Sequence, residues 1–232
     1  MSAVKHGVLY RDPKFCTNPE AMVAALAEDF TRRGGEFVRE KVADIEMGPN
    51  GPRAVSAADD RREVDVVVIA AGAWSRRLAA GAGAPVPLDT ERGYFADLPQ
   101  PGAMPHIPLL SGDYKFALTP METGLRLAGT DELAGLHAPP NYARARTLVR
   151  AATRVLAELN DDGATYAMGF RPSMPDSLPV IGPSPRHPLV FLAFGHGHMG
   201  LTFGPVTGRI IADMVAERRP PLDVTPFRAD RF

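Results

Sequence analysis

The chain has 232 residues, a formal net charge of −1 and 45% hydrophobic residues. This length can bury the core of one large domain or two small ones, and the near-neutral charge argues against nucleic acid or an anionic membrane as a partner. The single cysteine, Cys16, excludes an internal disulfide and fits a reducing compartment. Because no apolar stretch reaches the length of a membrane span and the first residues lack a signal-peptide centre, we expect a cytoplasmic protein.

The N-terminal segment is predicted to form scaffold elements. Residues 7–10 are a short strand candidate. A helix is predicted to begin after Asn18, a favourable N-cap, and to end at Gly34, since apolar residues recur every fourth position between them. Residues 37–47 and 53–57 are then predicted to pair as strands across a turn rich in glycine and proline.

An apolar strand followed by small residues comes next. Residues 64–70 are rich in valine, which favours a central, parallel strand. Ala71 and Gly72 follow, and Trp74 precedes a short helix predicted over residues 76–80. Small residues where a strand enters a helix permit close approach of either a neighbouring backbone or a ligand, and both interpretations stay open.

The middle of the chain has the pattern of a sheet covered by a helix. Residues 114–120 and 125–130 are predicted to form a hairpin with a four-residue connection that contains glycine. Residues 141–159 fit an amphipathic helix. Its arginines are interpreted as a solvated face and not as a nucleic-acid patch, because no aromatic residues lie between them.

The C-terminal quarter combines a buried strand, a glycine-rich turn and a helix. Residues 189–194 are continuously apolar, as in a strand buried on both faces. Gly195, Gly197 and Gly200 then let the backbone turn sharply, and a helix is predicted over residues 205–218. A helix start next to such a turn can bind an anion, although a tight turn without a ligand is an equally open interpretation at this point.

Two kinds of polar residue in this quarter suggest chemistry. Arg171 offers a planar fork that matches a carboxylate, and its alternative is a structural ion pair with Asp176. His196 and His198 suggest a metal site, but zinc needs three or four ligands and no third candidate is near in the sequence. We therefore predict no metal.

Three consecutive stretches carry a family resemblance. They are Gly-Phe-Arg-Pro at 169–172, Asp-Ser-Leu-Pro-Val-Ile-Gly at 176–182 and Gly-His-Gly-His-Met-Gly-Leu-Thr at 195–202. In this order they resemble the FAD-dependent amino-acid oxidoreductases, which include D-amino acid oxidase, glycine oxidase, sarcosine oxidase and the small subunit of D-amino acid dehydrogenase. The resemblance runs from about Gly7 to Phe232.

The resemblance implies a mixed α/β fold with two domains. Residues 1–90 and 168–232 would form an incomplete Rossmann-like FAD-binding domain, and residues 91–167 a substrate domain with a mostly antiparallel sheet covered by helices. Such proteins open with a strand, a Gly-x-Gly-x-x-Gly turn and a helix, and we expect no such unit either before Gly7 or elsewhere in the chain. We therefore expect either a truncated portion or a chain whose FAD site is completed by a second chain or by a homo-oligomer.

The resemblance also implies residue roles and an activity. Arg171 would bind the substrate carboxylate, and Tyr94 and His198 would contact the substrate, with protonation of His198 lending a pH dependence. The residues expected along FAD are Ala71, Gly72, Trp74, Gly195, Gly197, His198, Met199, Gly200, Leu201 and Thr202. The implied reaction oxidises the amine of a small amino acid (a D-amino acid, glycine or an N-methyl amino acid) to an imine by hydride transfer to the flavin. The alternative is a non-catalytic fragment or subunit that needs a partner chain.

Overall fold

The computed structural model describes residues 6–12, 14–49, 51–56 and 60–232. The chain divides into two compact units. Unit 1 comprises Met1–Phe37, Arg92–Leu133 and His137–Gly169, and unit 2 comprises Val38–Glu91, Ala134–Leu136 and Phe170–Phe232. The two later boundaries lie close to the predicted ones at 91 and 168, whereas the first 37 residues group with unit 1. The roles predicted for the two domains stay predictions.

The described residues contain four α-helices and eleven strands. The helices are α1 (Pro19–Arg32), α2 (Ser75–Gly81), α3 (Ala143–Ala152) and α4 (Gly200–Val215). The strands are β1 (Asp44–Gly48), β2 (Gly51–Ser56), β3 (Arg61–Glu63), β4 (Val67–Ile69), β5 (Asp89–Leu98), β6 (Leu109–Ser111), β7 (Phe116–Met121), β8 (Gly124–Leu133), β9 (Thr165–Ser173), β10 (Val180–Pro183) and β11 (Val190–Phe194). None of these helices is long and apolar enough to cross a membrane.

Unit 1 is built on a sheet with the strand order β6-β7-β8-β5-β9, in which β6, β7 and β8 pair antiparallel. The predicted hairpin is confirmed, but its connection has two residues, because Met121 pairs with Gly124. Helix α3 covers the sheet with Leu148, Val149 and Ala152, which pack against apolar side chains of β7 and β8. Burial of these side chains removes apolar area from water and holds the helix on the sheet.

Unit 2 contains a sheet with the order β10-β11-β4, in which β11 pairs antiparallel with β10 and parallel with β4. Its core lies around Leu192 and Phe194 of β11 and Ile69 of β4. The parallel direction predicted for β4 is confirmed. The predicted central position is wrong for this sheet, because β4 is the last strand in the order and no described strand pairs with its other edge. A further antiparallel sheet, β1-β2-β3, includes the predicted hairpin, in which β1 begins only at Asp44.

The helix predictions are confirmed in position and corrected at their ends. Helix α1 begins at Pro19, and the Asn18 side chain accepts a hydrogen bond from the Ala21 N–H at 2.9 Å. Helix α3 ends at Ala152, seven residues before the predicted end at 159. Helix α4 begins at Gly200 and contains Pro205, which the sequence pattern predicted as its first residue. Residues 7–10 form no strand.

The C-terminal turn of α4 is held by a buried carboxylate. Asp213 is 2% exposed and accepts hydrogen bonds from Arg209 Nε at 2.5 Å and Arg218 Nε at 2.9 Å. Arg209 and then Arg218 lower the pKa of Asp213 below its ordinary value, against the opposing effect of desolvation. The two arginines therefore stabilise the ionised form.

We predict that Asp213→Asn lowers the melting temperature at pH 7. Because the folded pKa is depressed, the stabilisation is present above the unfolded pKa of about 4 and is lost as the pH falls through the folded pKa. The melting temperatures of wild type and variant should therefore converge on acidification. Asp65→Asn, on the surface, is the control and should leave the melting temperature unchanged at neutral and at acidic pH. A difference in melting temperature between Asp213→Asn and the wild type that persists at pH 2 contradicts the prediction.

Candidate functional site

The turn between β11 and α4 is the best-defined feature of the candidate site. Gly195 and Gly197 have φ values of +85° and +52°, a region that favours glycine. A Cβ atom at Gly195 would lie 2.9 Å from Met174 Cγ, so the turn packs too closely for any side chain. Gly197–Met199 then form a single 3-10 turn, and α4 follows at once.

The six residues from Gly195 to Gly200 have the spacing Gly-x-Gly-x-x-Gly, although the sequence analysis expected no unit of this form anywhere in the chain. They lie between a strand and a helix, as dinucleotide-binding turns do. No described strand follows α4, so this turn does not open a complete βαβ unit. The first turn of α4 is solvent-exposed and presents N–H groups that have no partner within the helix. This geometry favours an anionic or electron-rich ligand.

A cavity of about 190 Å³ opens beside this turn. Its lining residues all belong to unit 2 and are Glu91, Ser173, Met174, Ser177, Gly195, His196, Gly197, His198 and Met199. Ser177 has φ +61°, a strained conformation of the kind that clusters at functional sites. A larger hollow of about 450 Å³ at the β1–β2 hairpin contains none of the predicted site residues.

The two histidines of the turn have different environments. His196 Nε2 lies 2.9 Å from Thr207 Oγ1 of α4, and burial lowers the pKa of this imidazole. His196 is therefore neutral at pH 7, and it joins the turn to the helix. His198 is exposed, and its Nδ1 lies 3.9 Å from Glu91 Oε2.

Arg171 lies on β9, two residues before Ser173, and thus on the same face of the strand as this cavity residue. It is half-buried and does not itself line the cavity. Burial lowers the pKa of its guanidinium and Glu91 opposes that shift, yet an arginine stays charged at neutral pH. The Asp176 carboxylate, the alternative partner considered for Arg171, is bound by Arg231, whose Nε lies 2.7 Å from Oδ2.

Glu91 is the cavity residue that sequence reasoning missed. It lies on β5, in a segment where only Tyr94 was considered as a functional residue. The available signal was a carboxylate in a strand whose following residues, Arg92 to Tyr94, are buried. Its importance follows from the electrostatic interaction with Arg171, which lies 80 positions later and could not be read from local sequence.

The small residues after β4 meet the Gly-Phe-Arg-Pro stretch. Gly72–Trp74 form a 3-10 turn in which Gly72 has φ +54°. The Trp74 ring is largely exposed and packs edge-on against Phe170, with 5.5 Å between ring centroids. Phe170 directly precedes Arg171, so the structure brings two of the predicted segments together within unit 2. Leu201 and Thr202, also predicted along FAD, lie exposed in the first turn of α4.

Tyr94 lies in unit 1 with its side chain fully buried. Its hydroxyl donates to Glu132 Oε2 at 2.6 Å and accepts from the Asn141 N–H at 2.8 Å. The Tyr94 hydrogen bond is the main cause that lowers the pKa of Glu132, followed by the charges of Arg144 and Arg92. These contacts account for a structural tyrosine, and the substrate contact expected for Tyr94 stays a prediction.

Comparison with known proteins decides the family. A family model described as FAD dependent oxidoreductase matches residues 2–214. The chain belongs to the FAD-dependent oxidoreductases. The family suggested by the motifs is thereby confirmed, and with it FAD as the cofactor on which the family depends.

Relatives of this oxidoreductase include amino-acid enzymes. The chain is 37% identical over 230 residues to a D-amino-acid oxidase of Bradyrhizobium diazoefficiens, which covers 97% of the chain and 55% of the relative. It is 34% identical to a D-amino acid dehydrogenase of the same organism, over 73% of the chain and 41% of the relative. The chain thus spans about half the length of these relatives or less.

A solved structure with the same fold is glycine oxidase from Geobacillus kaustophilus. It superposes with a TM-score of 0.79 at 24% identity, over 91% of the chain and 57% of the glycine oxidase. At this identity the likeness concerns the fold alone. It confirms the mixed α/β class expected for this oxidoreductase.

We predict opposite effects for two glycine-to-alanine changes. Gly195→Ala should lower the free energy of unfolding by about 2 kcal/mol or more, because alanine disfavours this φ and its Cβ would overlap Met174. Gly208→Ala, within α4 and with open space around the added Cβ, should raise it by about 0.5–1 kcal/mol. Urea denaturation measures both, and equal effects of the two changes would refute the packing account of the turn.

We predict that Tyr94→Phe lowers the free energy of unfolding by about 1–3 kcal/mol, because the Glu132 carboxylate loses a hydrogen-bond donor and the Asn141 N–H loses its acceptor. Tyr142→Phe is the matched control, since Tyr142 is exposed and touches Tyr94 only with its ring. Thermal and urea denaturation compare the two variants. A Tyr94→Phe protein as stable as the wild type would show that the hydroxyl is not required for the fold.

Proposed function

We propose that this chain takes part in the FAD-dependent oxidation of the amine of a small amino acid to an imine. Three observations support the proposal. The chain belongs to a FAD-dependent family, and relatives named D-amino-acid oxidase and D-amino acid dehydrogenase align with most of it. Arg171 is cationic and lies on the same face of β9 as Ser173, which lines a cavity beside the glycine turn.

The position of Arg171 is the observation that carries the proposal. Its guanidinium is half-buried, where charge–charge attraction is stronger than in water, and its two parallel donors match the two oxygens of a carboxylate. In the proposed function Arg171 binds the α-carboxylate of the substrate and so orients the Cα–H bond. Orientation of a bound reactant is a large part of what a protein contributes to such a reaction.

The residues of the turn fit the flavin cofactor. At Gly72 an added Cβ would project into open space, and the first turn of α4 exposes its backbone amides. Gly72 and Gly200 would thus lie along the ring without a side chain in the way, and the helix start would stabilise negative charge next to it. FAD, when bound, supplies the acceptor for the hydride that leaves the substrate carbon.

The finer assignments belong to the same proposal. The substrate is proposed to be a D-amino acid, glycine or an N-methyl amino acid. His198, exposed at the cavity, is proposed as a substrate contact, and Tyr94 keeps the substrate role that its sequence context suggested. A second chain or a second copy of this chain is proposed to complete the FAD site; a non-catalytic subunit that needs such a partner is the alternative.

We predict that Arg171→Ala weakens the binding of D-alanine by about 10- to 100-fold, because a charge-assisted hydrogen bond is worth about 1.5–3 kcal/mol. Arg171→Lys should bind with intermediate affinity, since it keeps the charge and loses the planar fork. Isothermal titration of the 232-residue chain, with and without FAD, measures the affinities, and quenching of flavin fluorescence reports FAD binding.

The control is Arg76→Ala, which removes an exposed arginine from α2 of the same unit and should leave the affinity unchanged. If Arg171→Ala binds D-alanine as tightly as the wild type, the assignment of the carboxylate site is wrong.

A further inference from the structure

We propose that Glu91 binds a positively charged ammonium group of the substrate, so that the cavity recognises a zwitterion by both of its charges. This inference rests on the proposed amino-acid function and adds a specificity-determining residue to it. Glu91 is a cavity residue for which neither the family resemblance nor the comparisons suggest a role.

The placement of the carboxylate is the first argument. Glu91 lines the cavity together with Ser173, His196 and His198, and about a third of its side chain is exposed. Its Oε2 lies 3.9 Å from His198 Nδ1, which is beyond hydrogen-bond distance. The Glu91 carboxylate therefore lies near the imidazole of His198 and remains accessible from the cavity.

The charge balance around the cavity is the second argument. Arg171 on β9 and Glu91 on β5 carry opposite charges and interact. Burial lowers the pKa of Arg171, and the charge of Glu91 opposes that shift. The other polar groups that line the cavity are Ser173, Ser177, His198 and the neutral His196. A ligand with only a carboxylate would be attracted by Arg171 and repelled by Glu91. An amino acid can satisfy both residues, with its carboxylate toward Arg171 and an ammonium toward Glu91.

The size of the cavity is the third argument. A volume of about 190 Å³ suits a small molecule of amino-acid size. Recognition of one charge at each end of the ligand then rejects simple carboxylic acids. Such a ligand offers no ammonium to the Glu91 carboxylate, and this costs binding free energy.

The ammonium can be the α-amino group or the end of a basic side chain, and three probes of equal chain length distinguish them. Hexanoate has only the carboxylate, D-norleucine adds the α-ammonium, and D-lysine adds a side-chain ammonium as well. Their affinities for the 232-residue chain are measured by isothermal titration at pH 7 in wild type and in Glu91→Gln.

Two pairs are compared, D-norleucine against hexanoate and D-lysine against D-norleucine. In one of them we expect the wild type to bind the ligand with the additional ammonium about 5- to 10-fold more tightly, and we expect Glu91→Gln to abolish that preference. Loss of the D-norleucine over hexanoate preference assigns the α-ammonium, and loss of the D-lysine over D-norleucine preference assigns the side-chain ammonium. Glu91→Asp, which keeps the charge on a shorter side chain, should retain part of the preference. Glu28→Gln, an exposed glutamate of α1 in the other unit, is the matched control and should retain all of it.

The outcomes separate this inference from the proposed function. If D-norleucine or D-lysine binds and the preferences are the same in wild type and Glu91→Gln, the role of Glu91 is overturned and the amino-acid function stands. If none of the three ligands binds to the wild type, both proposals are overturned. Thermal melting of each variant shows that the comparison is made between folded proteins.

Discussion

The close contact between the glycine turn and Met174 is the constraint on which the candidate site depends. Gly195 can lie against the Met174 side chain only without a Cβ, and its positive φ turns the chain out of β11 toward α4. Several other features follow from that turn. His196 reaches Thr207 on the helix, His198 comes within 3.9 Å of Glu91, and the first turn of α4 is left exposed. A side chain at Gly195 would disturb these features together, because they share one short piece of backbone.

A second constraint is electrostatic and acts across strands. Arg171 on β9 and Glu91 on β5 are both residues of unit 2, and each would be costly to bury without an opposite charge near it. Burial lowers the pKa of Arg171, and the charge of Glu91 opposes that shift. In the proposed function the same two opposite charges would bind the carboxylate and the ammonium of an amino acid.

Local patterns in the sequence predicted much of this region, and long-range contacts explain what they missed. The apolar run at β11 and the glycines after it predicted the strand and the turn. Burial on both faces of a strand requires apolar residues, and a positive φ favours glycine, so both features are visible in the composition. The spacing of apolar residues placed the start of α4 at Pro205. In the structure the helix begins at Gly200 and Pro205 lies inside it, where one earlier carbonyl loses its donor. Glu91 was missed because its partners come from distant strands and turns, which no local pattern reveals.

The register of β5 decides which charge the cavity receives. Along a strand, neighbouring side chains point to opposite faces, so Glu91 and Arg92 cannot both face the same cavity. Arg92 is fully buried in unit 1, where its Nη1 lies 3.8 Å from Glu132 Oε2. A slip by one residue would place a cation beside Arg171 and leave a carboxylate in the apolar interior, both unfavourable. The ion pair of the buried Arg92 with Glu132 therefore favours this register, in which Glu91 and not Arg92 lines the cavity.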